Sequence, residues 1–200
     1  MALQKKTSTG VEKLTIKKVR LSYVTLDKAT RMKANGEEVG EPTYRVTAMI
    51  PKSDKELVKQ VKAALQAAED SGIRDCWNGK KPTAKTYYGV NDRLQDGDES
   101  EHEEFKGHWL LTAKAQENRK PTLFESPNQL YTGFDSNFED MFYSGMWAHI
   151  IISTWAYNVS GGQGISVSLK GVMKWKDDER FSGGGGVTSE DFDLEEEEDL

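Results

Sequence analysis

The sequence predicts an all-β-dominated fold: a β-barrel with one inserted α-helix, long loops and a disordered acidic C-terminal tail. Three observations support this prediction. Apolar and polar residues alternate in several segments, as in half-buried strands. A single segment has apolar residues at helical spacing after a helix-capping motif. The residues after Phe181 are rich in carboxylates and contain no Lys or Arg.

Alternation defines the predicted strands. In the first, residues 14–26, the alternation slips near Lys17 and Lys18, which indicates a β-bulge. The second, residues 44–50, ends at Pro51, and the others cover residues 109–115, 147–157 and 165–175. This set favours a small closed or partly closed barrel of the oligonucleotide-binding (OB) type, although a β-sandwich with the same strands stays open.

One helix is well marked after the second strand. Ser53 and Glu56 have the spacing of a capping box, an apolar stripe follows, and Gly72 is the expected C-terminal stop. Residues 73–107 are expected to be irregular and include an acidic patch. We therefore expect a barrel domain over residues 11–181, preceded by a flexible basic arm at residues 1–10.

The C-terminal segment, residues 182–200, combines four consecutive glycines with a dense block of carboxylates. Such a composition cannot bury enough apolar surface to fold alone, so we expect a disordered tail. We expect this tail to dock partners and to compete for the basic groove of its own domain. The residues predicted to act in this way are Glu190, Asp191, Phe192, Asp193, Glu195, Glu196, Glu197, Glu198, Asp199 and Leu200.

Charge is segregated along the chain, whose formal net charge is −6. Without the tail there are 27 basic and 25 acidic residues, and without residues 92–104 as well there are 26 and 18, a net charge of +8. A basic body joined to an acidic block favours a polyanionic partner. The lone Cys76, the absence of a long apolar run and the lack of a signal-peptide pattern predict no membrane association and a cytoplasmic location.

Rings and cations share several predicted strands, a mixture that suits single-stranded nucleic acid. Cations hold phosphates along a groove, and exposed rings stack on bases for about 1–3 kcal/mol each. Any one ring could equally pack in the barrel core. The predicted DNA-binding residues are Lys17, Lys18, Arg20, Tyr23, Tyr44, Arg45, Trp147, Trp155, Tyr157, Lys170, Lys174 and Trp175.

Residues 92–104 supply the one arrangement that could be catalytic. Their seven carboxylates could gather Mg²⁺ for phosphodiester hydrolysis, but no Lys or His accompanies them in a recognisable pattern, which favours a solvated acidic loop. Cys76 and the three histidines lack zinc-site spacing, and there is no phosphate-binding glycine loop. We therefore predict no enzyme activity, no metal and no cofactor.

The sequence also resembles phage-encoded single-stranded DNA-binding proteins with an OB barrel and an acidic C-terminal tail. The resemblance lies in residues 19–23, 44–52, 94–98, 130–133 and 171–181. It implies coating of single strands, dimerisation, tail contacts with the replication machinery and a location in the host cytoplasm. The chain departs from the family pattern at its end, where Leu200 stands in place of a terminal Phe that related tails often have.

Together these observations predict a non-catalytic protein that binds single-stranded DNA without sequence preference in replication, recombination or repair. Its expected protein partners are a polymerase, a helicase or primase, or a recombinase, which the tail would contact. The alternatives are a Mg²⁺-dependent nuclease built on residues 92–104 and a replication adaptor that binds only proteins.

Overall fold

A computed structural model describes residues 6–133, 137–160 and 162–181. The strands of this part are β1 (Lys6–Ala34), β2 (Glu37–Pro51), β3 (Tyr87–Tyr88), β4 (Leu94–Asp96), β5 (His108–Gln116), β6 (Thr122–Ser126), β7 (Gln129–Leu130), β8 (Trp147–Val159) and β9 (Gly162–Lys176). The helices are α1 (Lys55–Asp75), α2 (Val90–Arg93) and α3 (Phe138–Met141), with 3₁₀ turns at Gly97–Glu99 and Glu103–Phe105.

Five long strands form the barrel in the order β5-β2-β1-β8-β9. Neighbours in this order are antiparallel, and a parallel contact between Lys114 of β5 and Ser168 of β9 closes the ring. The fold class predicted from the sequence, a β-dominated OB-like barrel with an inserted helix, is confirmed. A sandwich of two separate sheets is excluded, because the strands join in one sheet.

The alternation along each strand divides the barrel interior from its outer surface. Val46, Ala48 and Ile50 of β2 are fully buried, as are Ile150 and Ile152 of β8. The apolar stripe of α1 joins the same core, and the helix packs mainly against β1 and β8. Each large aliphatic side chain buried in this way contributes about 1.5–3 kcal/mol to stability.

The predicted bulge in the first strand is present. The pairing of β1 with β8 shifts register between Ile16 and Val19, and Lys18 has a φ of 56°. A second irregularity follows at Tyr23, where φ is 49° and the pairing of β1 with β2 shifts between Ser22 and Thr25. These two breaks bend β1, which allows one strand to pair with β8 along its first half and with β2 along its second.

Several predicted boundaries are corrected by the structure. Lys6 pairs with Asn158, so residues 6–10 belong to β1 and not to a flexible arm. Residues 27–43, which lie between the first two predicted strands, are largely strand as well, since β1 and β2 continue to a tight turn at Asn35 and Gly36. Residues 1–5 of the predicted arm and the whole predicted tail, residues 182–200, lie outside the described residues.

Both predicted ends of the helix are also wrong. The residue that caps α1 is Asp54, whose carboxylate accepts a hydrogen bond from the backbone N–H of Leu57 at 3.0 Å. Gly72 lies inside the helix, which continues to Asp75. No helix in the described part of the chain is both long and apolar enough to cross a membrane.

Candidate nucleic-acid interface

A groove with a volume of ≈ 890 Å³ lies on the outer surface of the barrel. Strands β2 and β5 provide Arg45, Thr47, Thr112 and Lys114, while β1, α2 and the hairpin of β8 and β9 supply further lining residues. We call it the first groove. Its lining residues on β2 and β5 occupy the alternate positions of strands whose other side chains fill the core.

Four cations line the first groove: the exposed Lys33, and three that lie close together, Arg45, Arg93 and Lys114. Burial lowers the pKa of Lys114, and the nearby charges of Arg93 and Arg45 lower it further. Burial likewise lowers the pKa of Arg45. Among the described residues no carboxylate forms an ion pair with any of the three. An anion entering the groove would therefore relieve repulsion between cations that have already lost part of their hydration.

The arginine side chains are held in place by backbone carbonyls. Arg93 Nε donates to the carbonyl oxygen of Ile165 at 2.7 Å, and Arg45 Nη1 donates to that of Thr30 at 3.1 Å. Neutral acceptors orient the guanidinium groups without cancelling their charge. Asp92 also lines the groove, but its Oδ2 accepts a hydrogen bond from the backbone N–H of Gly89 at 2.7 Å.

Three aromatic rings line the same groove: Tyr23, Trp155 and Tyr157. Tyr23 is 54% exposed, although its position is supported by Phe105, whose ring centroid lies 5.9 Å away. The rings of Trp155 and Tyr157 are 5.8 Å apart and inclined at 58°. Trp155 Nε1 donates to the Ser168 hydroxyl at 2.8 Å, which fixes the orientation of the indole. Rings held next to cations are the arrangement that stacks bases and contacts phosphates at once.

The twelve predicted DNA-binding residues separate into distinct places. Tyr23, Arg45, Trp155 and Tyr157 line the first groove. Lys170 lines a second groove beside it, described below. Tyr44 is only 8% exposed and belongs to the hydrophobic core, because it shares the inward phase of Val46 and Ala48. Tyr44 is therefore corrected from a stacking residue to a core residue.

Arg20 and Lys174 are engaged with the protein's own C-terminal residues and do not line the groove. Arg20 donates to the carbonyl oxygens of Gly145 and Glu179, both at 2.9 Å. Lys174 forms an ion pair with Asp177 at 2.7 Å. These contacts anchor the chain where it leaves β9, which is a structural role that the strand pattern alone did not predict.

The remaining predicted residues form a separate aromatic and basic cluster at the other end of β8 and β9. The rings of Trp147 and Trp175 are 6.0 Å apart, and Lys18 Nζ lies 5.1 Å from the Trp175 ring centroid. Lys17 is near enough to His149 that its charge, after burial, helps to lower the pKa of that imidazole. None of these residues lines the first groove within the described structure.

Sequence reasoning missed three cations of the groove, Lys33, Arg93 and Lys114. Arg93 was overlooked because it stands alone among seven carboxylates in residues 92–104. Lys114 carried a usable signal, since it alternates with the core residues Ala113 and Ala115 on β5 and must face outward.

The sequence matches the model of a known protein family. The family model of the single-stranded DNA-binding protein of Enterobacter phage Enc34 matches residues 12–200. The chain belongs to this family. Protein p50 of Acyrthosiphon pisum secondary endosymbiont phage 1 is 29% identical, with 94% of this chain and 98% of p50 covered. Membership confirms the resemblance to phage single-stranded DNA-binding proteins and the prediction that the chain is not an enzyme.

Solved structures of related proteins have the same fold. The Enc34 single-stranded DNA-binding protein is 25% identical, with a TM-score of 0.66 and 90% of each chain covered. The same protein in complex with single-stranded DNA gives a TM-score of 0.65 over 84% of this chain and 89% of that one. The bacteriophage T7 protein gp2.5 is 16% identical with a TM-score of 0.52, covering 94% of this chain and all of gp2.5, and shares the fold.

The acidic segment of this Enc34-family protein has a structural explanation. Lys52 Nζ contacts Asp96 and lies 2.6 Å from Asp98 Oδ2, while Asp98 Oδ1 accepts from the backbone N–H of Gly107 at 2.6 Å. No local sequence pattern places a lysine beside these carboxylates; the fold does so with Lys52, which follows the end of β2. A hydrogen bond from Lys52 lowers the pKa of both carboxyls, which act as its counterions.

Proposed function

We propose that this protein binds single-stranded DNA without sequence preference, in the first groove. The observation that carries the proposal is the convergence of Arg45, Arg93 and Lys114, unpaired with carboxylates in the described structure, beside the rings of Tyr23, Trp155 and Tyr157. Phosphates would bind the cations and bases would stack on the rings. The Enc34 relative solved in complex with single-stranded DNA supports the binding of single strands.

The chemistry of the groove favours single strands over duplex DNA. A ring can stack on a base only when the face of that base is free, which in a duplex requires unstacking. Every base offers such a face, so recognition through rings and phosphates tolerates any sequence. The hydroxyls of Thr47 and Thr112 bind each other at 2.9 Å, so they do not present a fixed donor pattern to base edges.

We further propose that the acidic tail competes with DNA for this groove. Phe181, where the described body ends, packs against the cluster of Met49, Phe105 and Leu110, and Leu110 also lines the groove. The guanidinium of Arg20 lies 4.4 Å from the Phe181 ring centroid and helps to hold it there. The tail, with its eight carboxylates, therefore follows a residue that packs against the lining of the first groove.

The biological setting is part of the same proposal. The protein would act in phage DNA replication, recombination or repair, in the host cytoplasm and as a homodimer. Its body would extend to Phe181, and residues 182–200 would dock a polymerase, a helicase or primase, or a recombinase. The acidic and apolar composition of the tail supports such docking.

The experiment that tests the function uses labelled oligothymidylate and a labelled duplex, each with and without Mg²⁺. We expect the full chain to bind the single strand more tightly than the duplex and to leave it intact. Affinity should fall with salt, with a slope of about −0.7 per phosphate contacted. Cleavage with Mg²⁺ would support the nuclease alternative, and no binding to either DNA would leave only the protein-binding adaptor.

A further inference from the structure

A second groove, with a volume of ≈ 850 Å³, lies next to the first. Lys114, Trp155 and Ser166 line both grooves, so the two meet along a shared wall. The wall stands where β5 and β9 close the barrel, since Lys114 is paired with Ser168 and Ser168 accepts the indole hydrogen bond of Trp155. A DNA strand that passes over Trp155 would therefore leave one groove and enter the other.

The lining of the second groove differs from that of the first. Its cations are Arg119, Lys120 and Lys170, all exposed, together with the shared Lys114. In the described structure the side chains of Arg119 and Lys170 have no hydrogen bond or ion pair. Glu12 is the one carboxylate among the described lining residues. Four cations against one carboxylate give the described lining of this groove a positive balance.

The polar partners in this groove are small. Hydroxyls line it, from Thr43 on β2, Ser153 on β8 and Ser166 and Ser168 on β9, whereas Trp155 on the shared wall is the one described aromatic residue of the lining. Hydroxyls and cations bind phosphate oxygens, whereas aromatic rings are the main surfaces on which bases stack. The second groove therefore has the chemistry of a phosphate-binding track, with no described aromatic ring beyond Trp155 on the shared wall.

We propose that the second groove continues the DNA path: a strand whose bases stack in the first groove passes Trp155 and is then held by its phosphates on Arg119, Lys120 and Lys170. The inference rests on the proposed single-strand binding and deepens it. It divides the interface into a stacking part and a purely electrostatic part. Only strands long enough to cross the wall would use the electrostatic part.

The test compares a short and a long oligothymidylate on the full chain. Lengths of about 5 and about 12 nucleotides fall within the site sizes of about 4–16 nucleotides that OB domains cover. The test variant is the double substitution Arg119→Gln/Lys170→Gln. The control is Lys55→Gln/Lys59→Gln, which removes the same charge from exposed positions of α1 that line neither groove.

We expect the test variant to bind the short strand as the control does. For the long strand its salt slope should be smaller by about 1.4, from about 0.7 for each of two contacts, and its affinity about 25-fold lower at 0.1 M salt if these contacts vanish at 1 M. Equal losses on both lengths, or no loss on either, would overturn the second groove as a DNA path. A gain in affinity would indicate that the acidic tail, and not DNA, occupies the second groove, and would overturn the proposal as well. Failure of the parent chain to bind either strand would instead refute the proposed function itself.

Discussion

At the scale of single residues, the face of the strand on which an aromatic ring lies decides whether the ring can contact DNA. Tyr23 and Tyr44 lie on the paired strands β1 and β2. Yet Tyr23 is 54% exposed in the groove, while Tyr44 is 8% exposed in the core. The difference follows from the irregularity at Tyr23, where the positive φ turns the side chain out of the regular alternation.

The contrast between groove rings and core rings is testable by alanine substitution. Trp155→Ala removes a stacking surface and should weaken single-strand binding by about 1–3 kcal/mol, with only a small change in melting temperature. Tyr44→Ala opens a cavity in the core and should cost about 3 kcal/mol or more of folding stability. Fluorescence binding curves beside thermal melts measure both effects. A large loss of stability in Trp155→Ala would instead place that ring in the core.

The lowered pKa of Lys114 gives a prediction about pH. A bound phosphate favours the protonated amine of Lys114. DNA binding must therefore be coupled to proton uptake wherever Lys114 is neutral in the free protein. Affinity should therefore fall as pH rises through this lowered pKa, before ordinary lysines lose their charge near about pH 10.4. Lys114→Arg keeps the charge and should abolish that early fall, whereas Lys59→Arg should not. Identical pH profiles for the three proteins between about pH 7 and pH 10 would contradict the assignment.

At the scale of elements, alternation predicted the core-facing part of each barrel strand but missed the long extensions of β1 and β2. Residues 6–13 and 27–43 lack a regular apolar phase, because they form strands whose side chains are mostly exposed. Backbone hydrogen bonds pair residues 6–13 with β8, and they pair β1 with β2 across residues 27–43. Such bonds do not require a pattern of apolar residues. The C-terminal end of α1 was missed for a different reason. Gly72 resembles a C-terminal stop, but it lies inside the helix, where the absence of a side chain allows close packing against Trp77 and Ala156.

Gly72 allows α1 to approach its neighbours closely. A Cβ at this position would lie 2.5 Å from Cη2 of Trp77 and 2.7 Å from Cβ of Ala156. In an open helix interior, Gly→Ala stabilises by about 1 kcal/mol. We expect Gly72→Ala to destabilise the protein instead, by about 1–3 kcal/mol from overpacking.

Urea denaturation measures the Gly72→Ala effect, with Ala63→Gly, at an exposed position of α1, as the reverse control. That control should lose about 1 kcal/mol through helix propensity alone. A gain in stability for Gly72→Ala would show that the contact with Trp77 relaxes freely and that propensity dominates at this site.

At the scale of the whole molecule, the site is assembled from distant parts of the chain. Arg45 comes from β2, Arg93 from α2, Lys114 from β5 and Trp155 from β8. Their residue types were visible in the sequence, and strand phase could orient three of them. Their convergence depends on barrel closure between β5 and β9, a non-local pairing that a single sequence does not specify. The segregation of charge, in contrast, could be established from the sequence alone.

The same segregation yields a prediction for the intact chain. Truncation after Phe181 removes eight carboxylates that are tethered beside the first groove and leaves the described body unchanged. A short tether gives such a competitor an effective concentration of about 1 mM or more. The truncated protein should therefore bind single strands more tightly than the full chain at low salt. Titrations of both proteins with oligothymidylate measure the difference.

Salt distinguishes this competition from an indirect effect of the truncation. Tail and DNA are both screened as ionic strength rises, so the advantage of the truncated protein should shrink steadily, since the screening length falls from about 30 Å at 0.01 M to about 10 Å at 0.1 M. A full-length control in which Glu195, Glu196, Glu197 and Glu198 are changed to Gln should recover part of the gain, because it keeps the tether and removes half of the charge. If truncation leaves low-salt affinity unchanged, the tail does not compete for the groove, and its remaining proposed role is to dock a protein partner.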